Sequence, residues 1–219
     1  MVPTQLSVPS PCLALVTDRS LVRAGALPEV IEQAVSNGVQ MVQLREKDLP
    51  GGPLLELATA VRDRINGRAL FIVNERADVA LGSRANGVHL GESGLPILKV
   101  REMVGDGLLI GRSVHSVEAA VQAEAQGANY LICGTIFETR SKPGKCPEGL
   151  PLLRAVTQAV RIPVLAIGGV THANAGSVLE AGASGACVVS AILASETPGD
   201  EARSLRAALG KAAPKALAS

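Results

Sequence analysis

The residues of this chain that could do chemistry stand in short clusters, each closing a run of aliphatic residues. Gln43-Leu44-Arg45-Glu46-Lys47 ends one run, Asn74-Glu75-Arg76 a second, His89 lies near the end of a third, and Ser113-Val114-His115 closes a fourth. Gly168-Gly169 and Val189-Ser190 end two more. Arg45 and Lys47 are two apart, so in an extended chain they project to one side. Two cations on one side suit an anion of more than one charge, such as a pyrophosphate; read blandly, the same triplet is solvated surface. Glycines at 168 and 169 let main chain approach a ligand closely, and a helix starting after Val189-Ser190 would offer unpaired amides and a positive dipole end. Together they would make a phosphate cradle, where the plainer reading is a tight turn. Thr139-Arg140-Ser141-Lys142-Pro143-Gly144 has the composition of a phosphate-binding lid or of an ordinary polar loop. His89 and His115 are candidate proton carriers, equally suited to structural hydrogen bonds, and His172 fits the start of a helix. The chain has no H-E-x-x-H, no His/Cys/Asp cluster and no nucleophile elbow.

Something must hold these clusters together. Strand-length apolar runs cover residues 12–18, 40–45, 69–74, 87–90, 109–113, 130–134, 163–168 and 185–190. Helical patterns separate them at about 27–36, 53–65, through Val79 and Leu81, after Pro96, after a Ser116 N-cap, at 174–181 and finally at 198–209. A polar loop from Thr135 to Gly149 interrupts the rhythm. Eight strands alternating with helices imply a parallel sheet, since each crossover returns the chain to the same end. Eight units favour closure into a (β/α)8 TIM barrel over an open doubly wound sheet, which would want a glycine-rich turn where Thr17-Asp18-Arg19-Ser20 stands. In such a barrel, polar residues at the C-terminal strand ends form the site. The whole chain, 1–219, reads as one domain, with frayed tails expected at 1–10 and 211–219.

Composition narrows the function. Hydrophobic residues make up 47% of the 219, yet there are only one Tyr, two Phe and no Trp, so the core is aliphatic. That fits strands buried on both faces and leaves no stacking platform for single-stranded nucleic acid. A net charge of +1 with interspersed signs gives no polyanion-binding block. No apolar stretch approaches the roughly 20 residues that span a bilayer, and residues 1–10 do not read as a signal peptide. Cys12, Cys133, Cys146 and Cys187 show no metal spacing and three lie in strand-like runs, so free thiols and a cytoplasmic setting are expected. Small molecules, rather than nucleic acid or membrane, are the expected partners; oligomeric state is left open.

The same positions, from Val16-Thr17-Asp18-Arg19 through Gly87-Val88-His89-Leu90-Gly91 and Ala166-Ile167-Gly168-Gly169-Val170 to Val189-Ser190-Ala191-Ile192, resemble the thiamin-phosphate synthase superfamily. The resemblance covers nearly the whole chain. It implies a transferase in which an aminopyrimidine methyl pyrophosphate ionises and a thiazole phosphate captures the cation. By the same resemblance, Gln43, Leu44, Arg45, Glu46, Lys47, Asn74, Ser113 and Lys142 bind the pyrimidine pyrophosphate. Thr139, Arg140, Ser141, Gly169, Val189 and Ser190 bind the thiazole phosphate. Arg45, Lys47, Ser113 and Lys142 are the implied catalytic groups, with Mg²⁺ assisting electrostatically.

Two departures stand out. The family carries aspartates after the strand-three asparagine and after strand four, both implied Mg²⁺ ligands; here these are Glu75 and Gly94, with Glu92 two residues early as a substitute. The stretch Ile110–Ser116, with residues 120–124 and Phe137-Glu138-Thr139, resembles instead the thiazole tautomerase branch, which aromatises a carboxythiazole phosphate by proton transfer. The histidine expected of that branch is Thr135 here. A synthase is the leading expectation, ahead of a tautomerase-like isomerase, a non-catalytic thiazole or thiamin phosphate binder, and an unrelated phosphosugar isomerase on the same fold.

Overall fold

A computed structural model describes residues 6–139 and 147–212. Eight parallel strands close into a barrel in chain order: β1 (Cys12–Val16), β2 (Met41–Leu44), β3 (Leu70–Asn74), β4 (Gly87–Leu90), β5 (Leu109–Val114), β6 (Tyr130–Cys133), β7 (Val164–Ile167) and β8 (Gly185–Val188). β8 pairs back onto β1, with Cys12 opposite Gly185 and Leu15 opposite Val188. Around them run α1 (Leu27–Ser36), α2 (Gly51–Ile65), α3 (Ala77–Gly82), α4 (Ile97–Val104), α5 (Val117–Ala125), α6 (Gly149–Ala159), α7 (Ala175–Glu180), the one-turn α8 (Ser190–Leu193) and α9 (Pro198–Ala212). The TIM barrel expected from the alternation is the observed architecture.

Alternation along each strand sorts side chains into two cores. Cys12, Ala14, Val16, Met41, Ile72, Leu109, Tyr130, Ile132, Leu165 and Cys187 point inward and fill the barrel. Their neighbours Leu13, Leu15, Val42, Leu44, Phe71, Val73, Val88, Leu90, Ile110 and Leu131 pack outward against the helices, on residues such as Ile31, Ala58, Val61 and Val100. The strands are apolar on both faces because both faces are covered. Val8, ahead of β1, is buried with the inner group.

Local chemistry sets the element ends. Ser116 caps α5, its side chain accepting from the Ala119 amide at 3.1 Å. Pro28 in the first turn of α1 costs no helical bond there. Six of the inferred strands overrun the observed ones by one or two residues, because the staggered ladder stops short of them; the fourth matches, and the fifth is observed one residue longer, to Val114. α6, for which the sequence reading gives no span, starts where the loop after β6 ends. Among the described residues no helix is long and apolar enough to cross a membrane. Cys12, Cys133 and Cys187 are buried and free. Burial pushes the thiols of Cys12 and Cys133 up to about 12 and raises that of Cys187 well above its ordinary value, which makes them inert.

Candidate active site at the carboxyl ends of the strands

One layer above the apolar filling, the inward positions turn polar. Met41 is followed two residues on by Gln43, Ile72 by Asn74, and Leu109 by Gly111 and then Ser113; His89 occupies the inward position of β4 between the outward Val88 and Leu90. Gln43 Nε2 donates to Asn74 Oδ1 at 2.9 Å. Gln43 Oε1 is buried and has no partner among the described residues. An unused buried acceptor is costly unless a ligand completes it, so this oxygen is a candidate contact for a donor group.

Arg45 continues the inward series of β2. Its amide donates to Thr17 Oγ1 at 2.9 Å, and that hydroxyl donates to Glu46 Oε1 at 2.6 Å. Glu46 Oε2 accepts from the Arg19 amide and Arg19 Nη1, each at 3.1 Å, and Arg19 also pairs with Asp48. The loops after β1 and β2 are therefore clamped together, which fixes the main chain that carries Arg45 and Lys47. Both cations line a cleft of about 800 Å³ with Asp18, Arg19 and Ser20. Glu46 lines the same cleft, but its carboxylate is taken by Thr17 and Arg19, and the Leu44 side chain packs in the outer core, so any contact of these two with a ligand is left to their main chain.

Glu75 stands at φ +62°, a conformation rare outside glycine. Its Oε1 accepts from the Gly91 amide at 2.6 Å. A Cβ on Gly94 would lie 2.7 Å from Oε2, and one on Gly91 2.7 Å from Oε1, so the carboxylate lies across two positions that must lack side chains. Glu92 lies toward β5 instead: its Oε2 is 3.0 Å from His115 Nδ1, in a geometry that makes no directed hydrogen bond. Arg112 Nη1 and Nη2 donate to the carbonyls of Leu95 and Glu92 at 2.9 and 2.8 Å, fastening the loop after β4 to β5. Among the described residues no three acidic, His or Cys side chains gather as a metal site. The available donor is the Glu75 carboxylate, which fits Mg²⁺, an ion that takes one or two carboxylates and completes its shell with water and substrate phosphate.

His89 is fully buried. Its Nδ1 is 3.2 Å from the Tyr130 hydroxyl and its Nε2 2.9 Å from Ser113 Oγ. Burial first, then the charges of Arg112 and Arg45, lower its pKa to about 3. Held neutral in this way, His89 is a weak base near neutral pH, which counts against a proton-carrying role. Tyr130 was not singled out in the sequence, although the one tyrosine in an aliphatic chain, inside a strand, was the available signal.

On the opposite side, Gly168 and Gly169 have φ of +103° and +63°. Ile136 and Phe137 donate to the carbonyls of Ile167 and Gly168 at 2.9 and 3.0 Å, laying the segment after β6 along β7. A Cβ on Gly169 would stand 2.3 Å from the Glu138 carbonyl. These glycines thus admit the neighbouring loop, whose Thr139 ends the described segment. Ser190 and Ala191 head α8, where their amides have no acceptor within the helix. Arg140, Ser141 and Lys142 lie outside the described residues, as does Cys146.

Residues 13–192 match the family model described as thiamine monophosphate synthase. The chain belongs to that family. A thiamine-phosphate synthase of Methanoculleus marisnigri is 44% identical over 196 residues, covering 89% of this chain and 93% of the relative. One of Chloroflexus aurantiacus is 43% identical over 207 residues, covering 94% and 95%. The solved thiamine phosphate pyrophosphorylase of Pyrococcus furiosus superposes with a TM-score of 0.84 at 36% identity, covering 92% of this chain and 96% of that one. Within the family frame, Gly94 stands where the resemblance places an aspartate, and the longer Glu75 side chain fills that space. Thr135, at the place of the tautomerase histidine, is buried beneath Gly168, against which its methyl group packs.

Proposed function

We propose that the protein is a thiamin-phosphate synthase, a transferase acting on two small phosphorylated heterocycles in thiamin biosynthesis. The observation that carries this reading is the layer of inward polar residues Gln43, Asn74 and Ser113, at the same carboxyl end of the closed parallel barrel as Arg45, Gly169 and Ser190. The unpaired Gln43 Oε1 would accept from the pyrimidine amino group while Asn74 holds the amide orientation. Arg45, Lys47 and Ser113 would bind the pyrophosphate, joined by Lys142. The amides of Gly169, Val189 and Ser190, with Thr139, Arg140 and Ser141, would hold the thiazole phosphate.

In the reaction the bond between the pyrimidine methylene and pyrophosphate oxygen breaks, and both electrons leave with pyrophosphate. The thiazole nitrogen lone pair then forms the new C–N bond. No proton is gained or lost overall, in keeping with a site whose buried histidine is held neutral. The protein's work is orientation and charge: bound cations favour the departing anion far more in a partly dry cleft than in water. Mg²⁺, held by Glu75 and substrate oxygens, would add positive charge beside that anion. The buried free thiols support a cytoplasmic setting.

The test is direct. Purified protein given both substrates and Mg²⁺ forms thiamin phosphate and pyrophosphate in equal amounts, and Arg45→Ala loses this while melting at the parent temperature. Absence of product with fresh substrates, or a thiazole absorbance change with no pyrimidine present, would replace this reading with the tautomerase.

A further inference from the structure

Three neighbouring strands set Tyr130, His89 and Ser113 in contact. His89 is in register with Gly111, and Gly111 with Tyr130, so the three lie in one row across β4, β5 and β6. Gly111 leaves the gap through which the phenol reaches the imidazole: a Cβ there would stand 2.2 Å from Tyr130 Cζ and 2.5 Å from both the hydroxyl and His89 Nδ1. Ser113 lies two residues above Gly111 on the same face of β5.

Proton bookkeeping gives this chain a direction. A neutral imidazole carries one N–H, on either nitrogen. If Nδ1 carried it, Tyr130 oxygen would accept, and the phenolic hydrogen would need another acceptor. Among the described residues His89 is the only hydrogen-bond partner of that hydroxyl, and the surrounding inner core is Cys12, Cys187, Ile132, Leu165 and other apolar groups. The satisfied arrangement is the other one: Tyr130 donates to Nδ1, Nε2–H donates to Ser113 Oγ, and the serine hydrogen is left to point into the site. We propose that Tyr130 and His89 are positioning residues that force the Ser113 hydroxyl to act as a hydrogen-bond donor toward the departing pyrophosphate oxygen. The role of Ser113 rests on the synthase reading; the orientation of the relay does not.

An imidazolium would donate from both nitrogens and leave the phenolic hydrogen without an acceptor, so the satisfied relay is the neutral one. The chain contains three histidines, so ¹⁵N-labelled imidazoles can be assigned by single replacement. The expected spectrum of the free protein shows His89 as the Nε2–H tautomer, unchanged from pH 5 to 9. Tyr130→Phe removes the donor to Nδ1, mixes the tautomers and lowers kcat about tenfold at unchanged KM for the thiazole phosphate, a size usual for loss of a supporting hydrogen bond. His89→Gln, which can still donate to Ser113, retains more activity than His89→Leu when both are assayed at a temperature at which each is fully folded. An Nδ1–H tautomer in the parent, or titration of His89 between pH 5 and 8, overturns the inference even if the enzyme is a synthase. The expected spectrum in a protein that makes no thiamin phosphate would instead uphold the relay and reject only the synthase reading.

Discussion

Replacing Gly111 by alanine tests whether the barrel interior is built around the contact between Tyr130 and His89. The added carbon would stand 2.2 Å from Tyr130 Cζ and 2.5 Å from His89 Nδ1, where ordinary contact begins at 3.4 Å. The shortfall is about an ångström at each, and both rings are almost wholly buried within a closed barrel, so neither can swing into solvent. Overpacking of a filled core costs about 1–3 kcal/mol, and three colliding atoms place this case near 3 kcal/mol. For a chain of this size each kcal/mol lowers the melting temperature by about 2–4 °C, so a drop of roughly 6–12 °C is expected by calorimetry. Gly52→Ala is the control: nothing lies within 4 Å of its Cβ position on α2, and it should leave the protein unchanged or slightly more stable. Adding Tyr130→Leu to Gly111→Ala opens the blocked space, so the double variant should exceed the sum of the singles by about 2 kcal/mol. Melting of Gly111→Ala within a degree of the parent, or strict additivity in the double variant, would refute this account of the core.

Three further outcomes follow from the site. Glu75→Gln keeps the side-chain length and the Gly91 bond but removes the charge; melting should shift little, while Mn²⁺ binding measured by EPR with pyrophosphate present weakens about tenfold or more. Thr17→Val strips the buried Glu46 of one donor and frees the Arg45 amide, and should cost about 2–3 kcal/mol in urea unfolding and raise KM for the pyrimidine pyrophosphate. The folded His89 pKa of about 3 lies below the unfolded value near 6.5, so the unfolded chain binds the extra proton as acid is added. Stability from this group is complete above pH 6.5 and falls by about 1.4 kcal/mol per unit between there and pH 3. Unfolding series from pH 4.5 to 7 should therefore slope less steeply for His89→Gln than for the parent.

Particular elements show how far the sequence reaches. The run Leu70–Asn74 could be read as a strand ending in a polar residue, and the span 27–36 as a helix, because periodicity and punctuation are local properties. The order of eight such units determined the barrel, and with it the expectation that Gln43, Asn74, His89, Ser113 and Ser190 gather at one end. The outward turn of Leu44 follows from strand alternation, but sequence could not tell what becomes of Glu46, since beyond the last ladder residue of β2 its carboxylate is held by Thr17 and Arg19, 27 to 29 residues earlier in the chain. Nor could it assign His89, whose chemistry depends on a phenol 41 residues away and on a glycine that clears the path between them. Glu75 and Gly94 look like two separate losses in the sequence, yet one long carboxylate spans the space of both positions in the fold. The alternation of residue types is written along the chain and survives without knowledge of contacts; proton affinity, partner choice and free volume are properties of neighbourhoods, which exist only once the barrel has closed.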